Sequence, residues 1–244
     1  MRIHDTHFHL DLMESPEETV NKIENQEVYT IAVTNSPTVF FYTEKLVLNK
    51  KYLRPALGMH PELVAQRHKE IVQFIELISR TRYIGEIGLD NSNKSTADYR
   101  LQKEIFEKIV LACADAHNKI LTIHSRKAAQ DVIDIIGNHF PGKIVLHWYS
   151  DSIKHLQRAI NYGYYFSINH PMLHSKSGIE IIKNIPIERL LIETDGPFTK
   201  KGNEVFTPLM AENLLKELAS LLSDPFKSTE IEKQISDNFN RLLK

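Results

Sequence analysis

Short runs of apolar and β-branched residues recur along the whole chain, each bounded by polar or turn-forming residues. Eight of them read as strands: Arg2 to His7, Val28 to Thr34, Leu53 to Gly58, Arg82 to Leu89, Ile120 to His124, Lys143 to His147, Gly163 to Ile168 and Arg189 to Glu193. Between them the apolar spacing changes to three and four, so that Leu101, Ile105, Phe106, Ile109, Val110 and Cys113 share one face of a helix. Strand alternating with helix implies a parallel sheet. The repeat of about 27 residues is close to the roughly 30 of a βαβ unit. Eight such units in 244 residues predict an α/β fold, a TIM-type (β/α)8 barrel, regular or distorted, for which about 250 residues is typical.

Beyond the last strand the pattern is helical. Thr207 is expected to cap a helix with Pro208 at its first position and Leu209, Leu214, Leu218 and Leu221 on one face, and a last helix is expected over Ser228 to Leu243. No Gly/Ser-rich linker or composition break divides the chain, which predicts one domain over residues 1–244. The longest polar insertion after a strand, Asp90 to Asp98, reads either as a lid or substrate loop or as a plain solvated connection.

Charge and cysteine content narrow the classes. With 30 Lys plus Arg against 31 Asp plus Glu, the formal charge is −1, which argues against a basic nucleic-acid coat protein. A single cysteine, Cys113, excludes an internal disulfide framework and sits on an apolar helix face, where it reads as packing. The first residues lack the apolar stretch of a secretion signal, and no apolar run approaches the roughly 18 residues that span a bilayer. The expected location is the cytoplasm, without membrane insertion. Composition leaves the 12 histidines unexplained.

Their positions are informative. Apolar strands repeatedly end in residues that bind metal or exchange protons: His7 and His9 after the first strand, His60 after the third, Glu86 in the fourth, His124 and His147 ending the fifth and sixth, and Glu193 and Asp195 after the eighth. In a (β/α)8 barrel these ends face one mouth. Alternation along Asp5-Thr6-His7-Phe8-His9 places Asp5, His7 and His9 on one face, although His-x-His also arises by chance on an exposed edge. Glu86 lies between apolar neighbours, where an unpaired charge is costly. Either a cation or a structural salt bridge resolves it. A lone histidine such as His124 or His147 at a strand end is often only a satisfied structural residue. Taken together, His7, His9, Glu86, His124, His147 and Asp195 supply six N/O ligands without a thiolate, a set suited to two divalent ions bridged by a carboxylate.

Seven ordered motifs make the chain resemble the TatD-like metal-dependent hydrolases, a DNase family of amidohydrolase-type TIM barrels. They are Asp5-Thr6-His7-Phe8-His9, Gly58-Met59-His60-Pro61, Gly85-Glu86-Ile87-Gly88-Leu89-Asp90, Ile123-His124-Ser125-Arg126, Leu146-His147-Trp148-Tyr149-Ser150, Ile192-Glu193-Thr194-Asp195-Gly196-Pro197 and Asn238-Phe239-Asn240-Arg241-Leu242. The resemblance implies that His7, His9, Glu86 and Asp195 hold one ion and that Glu86, His124 and His147 hold a second, with Mg²⁺, Mn²⁺ or Zn²⁺ as cofactor. It sets His60 and Arg126 against the scissile phosphate, and Asp195 as a ligand that orients the water or accepts its proton. Asp5 and Glu193 would fix imidazole orientation or barrel packing, Glu193 alternatively forming a structural ion pair. Two such ions against two carboxylates leave a local surplus of about +2, an attraction for phosphate that a count of Lys and Arg does not reveal.

The sequence departs from the commonest family wording at Glu62, at Trp148 and over Lys201-Gly202-Asn203-Glu204. An acidic Glu62 near the mouth repels phosphate unless it binds a cation or points away. The wording Ser167-Ile168-Asn169-His170-Pro171 and Gly196-Pro197-Phe198 also resembles the TatD-like component of Qat-type antiphage defence systems. The implied activity is hydrolysis of DNA phosphodiester bonds, and the implied partners are DNA and other defence-system proteins. Hydrolysis of a small amide, ester or lactone, or a partner-dependent subunit role, stay open beside it. Trp148, Tyr149 and Phe198 either stack unpaired bases of single-stranded or frayed ends or pack around the mouth.

Overall fold

The eight strands form where the apolar runs predict them, with ends shifted by a few residues: β1 (His4–Phe8), β2 (Tyr29–Ala32), β3 (Leu53–Leu57), β4 (Tyr83–Gly88), β5 (Ile120–His124), β6 (Lys143–His147), β7 (Tyr165–Ile168) and β8 (Leu190–Ile192). The computed structural model describes residues 3–92, 95–223 and 227–244. In it the strands lie in one sheet in sequence order, each laddered pair parallel. Helices between the strands form the outer layer, as in a TIM barrel. The helix Thr96–Asp115 buries Ile105, Phe106, Ile109, Val110 and Cys113, the face that the spacing predicts. Its first turn is capped by Ser95, whose hydroxyl accepts from the Asp98 N–H at 3.1 Å.

Side chains help to close the seam between β1 and β8. The Thr6 hydroxyl donates to the Ile192 carbonyl at 3.0 Å, and the Thr194 N–H donates to Asp5 Oδ1 at 3.1 Å. Asp5 also accepts from the His7 N–H and the Thr194 hydroxyl. Of the two roles expected for it, Asp5 therefore serves barrel packing. At the same seam the Asp195 N–H donates to the His7 carbonyl at 2.9 Å, and the His9 N–H to the Gly196 carbonyl at 3.0 Å.

The lower end of the barrel is stoppered by the last helix, Ser228–Leu242. Phe239 and Leu242 are fully buried against Ile31, Val33, Tyr83, Val145 and Leu191. The His4 ring lies flat on Phe239 with centroids 4.3 Å apart. The Asn238 amide donates to the carbonyls of Ile187 and Leu190 at 2.6 and 2.8 Å, tying the stopper to the entry of β8.

Two expectations need correction. Thr207 makes no capping bond through its side chain; the chain first winds a 3-10 turn, Pro208–Met210, before the helix Ala211–Leu222. The turn is closed by backbone instead, the Met210 N–H donating to the Thr207 carbonyl at 2.8 Å. Tyr149 is not available to stack a base: it is buried on Phe166, with its hydroxyl donating to the Ser152 carbonyl at 2.7 Å. Of the insertion Asp90 to Asp98, residues 93 and 94 lie outside the described residues, and its first residue, Asp90, is buried. Among the described residues no helix is long and apolar enough to cross a membrane.

Candidate active site

Parallel strands deliver their C-terminal ends to one mouth, and β4 places Glu86 at its centre. Its main chain is fixed from neighbouring strand ends: the Glu86 N–H donates to the Thr34 carbonyl, and its carbonyl accepts from the Met59 N–H, both at 2.9 Å. Gly88 must be glycine. Its φ is +136°, and a Cβ there would fall 2.1 Å from the His124 carbonyl oxygen, so a side chain would push β5 away from β4.

The two carboxylate oxygens of Glu86 face different imidazoles. Oε2 lies 3.5 Å from His7 Nε2 and 3.3 Å from His9 Nε2. Oε1 lies 2.7 Å from His124 Nδ1, 2.9 Å from His147 Nε2 and 3.3 Å from His60 Nε2. Asp195 completes the first group, its Oδ1 being 3.6 Å from both His7 Nε2 and His9 Nε2, which are themselves 3.2 Å apart. A four-coordinate ion with ligand bonds of about 2.1 Å needs ligand atoms about 3.4 Å apart, and these separations of 3.2 to 3.6 Å are close to that spacing. The donor set therefore fits a divalent ion.

All six proposed ligands converge here. The structure also brings His60 to Glu86, where the sequence expectation sets it against substrate. The His60 ring accepts the Glu62 N–H at Nδ1, 3.2 Å away, which leaves its proton on Nε2.

Burial shifts the proton affinities. Burial and the facing His147 push the His7 imidazole well below its ordinary pKa. For Glu86, burial favours the neutral acid, but the imidazoles of His60, His147 and His7 outweigh it and hold the carboxyl well below the usual range. Burial also disfavours charge on His147, yet Glu86 and Glu193 raise it well above the ordinary value. Asp195 goes the other way: burial, aided by the negative charges of Glu193, Glu86 and Asp5 and only partly offset by His147, raises its carboxyl well above the usual range.

Behind the proposed ligands stands a ring of buried polar supports. Glu193 accepts from the Trp148 N–H and the Asn169 amide at 3.0 Å and from the Ser167 hydroxyl, and one of its oxygens lies 3.6 Å from His147 Nδ1. Thus it anchors the backbone behind His147 and faces that ring's Nδ1 beyond hydrogen-bond length. Trp148 and Asp195 both sit at positive φ, 39° and 52°, a conformation that residues with side chains seldom adopt and that recurs at functional sites. Asp90 is the residue that the strand-end reading missed. Its Oδ2 lies 2.7 Å from His124 Nε2, while Glu86 holds Nδ1 of the same ring. The signal was its place two residues after the Gly88 that seats β5, but polar neighbours made it read as loop.

The mouth opens into a cavity of about 550 Å³ lined by His60, Glu62, Arg126, Trp148, Asp195 and Phe198 among others. Arg126 and Glu62 are exposed, and Phe198 stands 59% exposed with its ring edge-on to His9. The family profile described as TatD related DNase matches residues 4–244. The chain belongs to the TatD related DNase family. In class it is a TatD-family metal-dependent hydrolase. The uncharacterized metal-dependent hydrolase YabD of Bacillus subtilis (strain 168) is 29% identical over 259 residues, covering 98% of both chains. Deoxyribonuclease Tat-D of Schizosaccharomyces pombe is 29% identical over 191 residues, 77% of this TatD-family chain and 57% of its own. The crystal structure of YJJV, a TatD homolog from Escherichia coli k12, shares the fold with a TM-score of 0.87 at 22% identity, covering 99% and 97% of the two chains.

Proposed function

We propose that the protein hydrolyses DNA phosphodiester bonds with two divalent ions at the barrel mouth, in the cytoplasm. The observation that carries this reading is Glu86, whose two oxygens face separate imidazole groups. His7, His9, Glu86 and Asp195 would hold one ion and Glu86, His124 and His147 the other. Bound there, such ions supply Lewis acidity, lower the pKa of water and offset charge on the phosphate oxygens.

The chain's own residues do the rest. Asp195, whose Oδ1 stands 3.6 Å from His7 Nε2 and His9 Nε2, accepts a proton from the attacking water at a carboxylate oxygen. The protonated Nε2 of His60 donates to a phosphate or leaving oxygen. The exposed Arg126 offers a planar fork for the phosphate. Phe198 and Trp148 give flat faces for unpaired bases, which favours single-stranded or frayed ends.

One observation favours a second reading. Leu63, Trp148 and Phe198 line the same cavity, an apolar wall that also suits an uncharged amide, ester or lactone. Digestion of end-labelled single- and double-stranded DNA with Mg²⁺, Mn²⁺ and Zn²⁺, beside a panel of uncharged esters and lactones, separates the two. The nuclease reading expects DNA cleavage that disappears in a folded His124→Ala variant. Intact DNA with every ion, together with turnover of an uncharged ester, supports the second. An antiphage role with partner proteins rests on the resemblance; Ser167 and Asn169, which carry part of it, hold the Glu193 carboxylate and so have a use within the hydrolytic site.

A further inference from the structure

A second group of metal-binding side chains stands apart from these ligands. The short helix His170–His174 follows β7 and carries its two histidines four residues apart, the spacing that places them one above the other. Their ring centroids are 4.0 Å apart. From the helix Ala211–Leu222, Glu217 reaches both: its Oε2 is 3.7 Å from His170 Nδ1 and its Oε1 3.5 Å from His174 Nε2. One donor atom from each of the three lies within 4.8 Å of the others.

We infer that His170, His174 and Glu217 form a further site for a borderline transition-metal ion such as Zn²⁺, cross-linking these two helices. The distances decide between this and a plain ion pair. At 3.5 and 3.7 Å, each from a different carboxylate oxygen, the contacts are longer than a charge-assisted hydrogen bond of about 2.7–2.9 Å, and one donor atom from each residue lies within 4.8 Å of the other two, a span that an ion can bridge. Two imidazoles and one carboxylate suit Zn²⁺, Ni²⁺ or Cu²⁺, whereas Mg²⁺ takes oxygen ligands. Burial and the neighbouring His174 lower the His170 pKa, favouring the neutral ring that ligates. A hollow of about 370 Å³ borders His170 and Glu217, with room for water to complete the shell.

The consequence is mechanical. The His170 ring also stacks on Phe206, 4.5 Å away, whose N–H donates to the Thr199 carbonyl in the segment that leaves the mouth after Asp195. Asn169, immediately before the helix, holds Glu193. An ion here fixes the wall of the mouth without touching the reacting atoms.

The test counts Zn²⁺ bound by the full chain after dialysis against micromolar free Zn²⁺ in excess Mg²⁺, comparing wild type with His174→Ala and Glu217→Gln. The wild type should bind one equivalent more than His174→Ala, and Glu217→Gln should bind that equivalent at least about tenfold more weakly. Mg²⁺-supported hydrolysis should be unchanged in both. Because Glu217 is about half exposed, the Gln variant keeps the test decisive if His174→Ala fails to fold. Equal Zn²⁺ content and affinity in wild type and folded variants would overturn the inference.

Discussion

The two ends of the barrel are built from opposite materials. At the lower end the interior is filled with hydrocarbon, with Phe239 and Leu242 sealing it and His4 stacked on Phe239. At the mouth, His7, His9, Glu86, His147 and Asp195 are buried side by side, with proton affinities pushed in opposing directions. Buried charge contributes little to stability unless something pairs it. The contrast teaches that the fold keeps its stability at one end of the strands and its chemistry at the other, as barrels of this kind do.

Replacing a proposed ligand should break the chemistry and spare the fold. Glu86→Ala and Asp195→Ala are each expected to lower DNA hydrolysis on the order of 10³-fold, measured by initial rates, with circular dichroism unchanged. Asp195 sharpens the point through pH. Its carboxyl is raised in the fold above the ordinary 3.8, so between those values the unfolded chain loses a proton that the folded chain keeps, and stability falls as pH rises. Metal-free Asp195→Asn should therefore melt no lower than wild type, with an advantage that widens from pH 5 to pH 8. A growing disadvantage over that range would contradict the assignment.

The converse substitution lies at the stopper. Phe239→Ala should cost about 3–5 kcal/mol of unfolding free energy, the usual range for removing a buried aromatic ring, as read by urea titration, while divalent-ion affinity at the mouth is retained. A smaller effect is expected at Asp90, which bonds the far nitrogen of His124. Asp90→Asn should reduce the hydrolysis rate about 10- to 100-fold, as loss of a proposed ligand's hydrogen-bond partner commonly does, and lower the melting temperature as well, because the buried carboxylate also accepts the Ser92 N–H. Smallest of all, Cys113 belongs to the apolar wall: burial pushes its thiol up to about 12, so iodoacetamide should leave it unlabelled at pH 8.5 until the protein is unfolded.

Much of this contrast was legible in the sequence. Strands announce themselves by apolar runs, and a parallel barrel sends every C-terminal end to one place, so His7, Glu86, His147 and Asp195 could be grouped although they span most of the chain. The seam was harder, because a side-chain bond such as Thr6 to Ile192 leaves no periodic trace. Asp90 looked like the first residue of a solvated loop, since composition does not reveal that its carboxylate turns inward to His124. Tyr149 follows His147 and Trp148 and by sequence alone belongs beside the mouth, whereas Trp148 takes a positive φ and the next ring is buried. His170 and His174 carried a helical spacing, but their partner Glu217 lies more than forty residues on and only packing brings it near.

The central claim is that the mouth is a metal-dependent phosphodiesterase site. Its most direct test strips the protein with EDTA, adds end-labelled single-stranded DNA, and then restores Mg²⁺, Mn²⁺ or Zn²⁺ to wild type and to Glu86→Ala. The account predicts intact DNA before the ion is returned, cleavage by wild type afterwards, and none by the variant. Cleavage that persists in EDTA, or that Glu86→Ala performs at the wild-type rate, would contradict it.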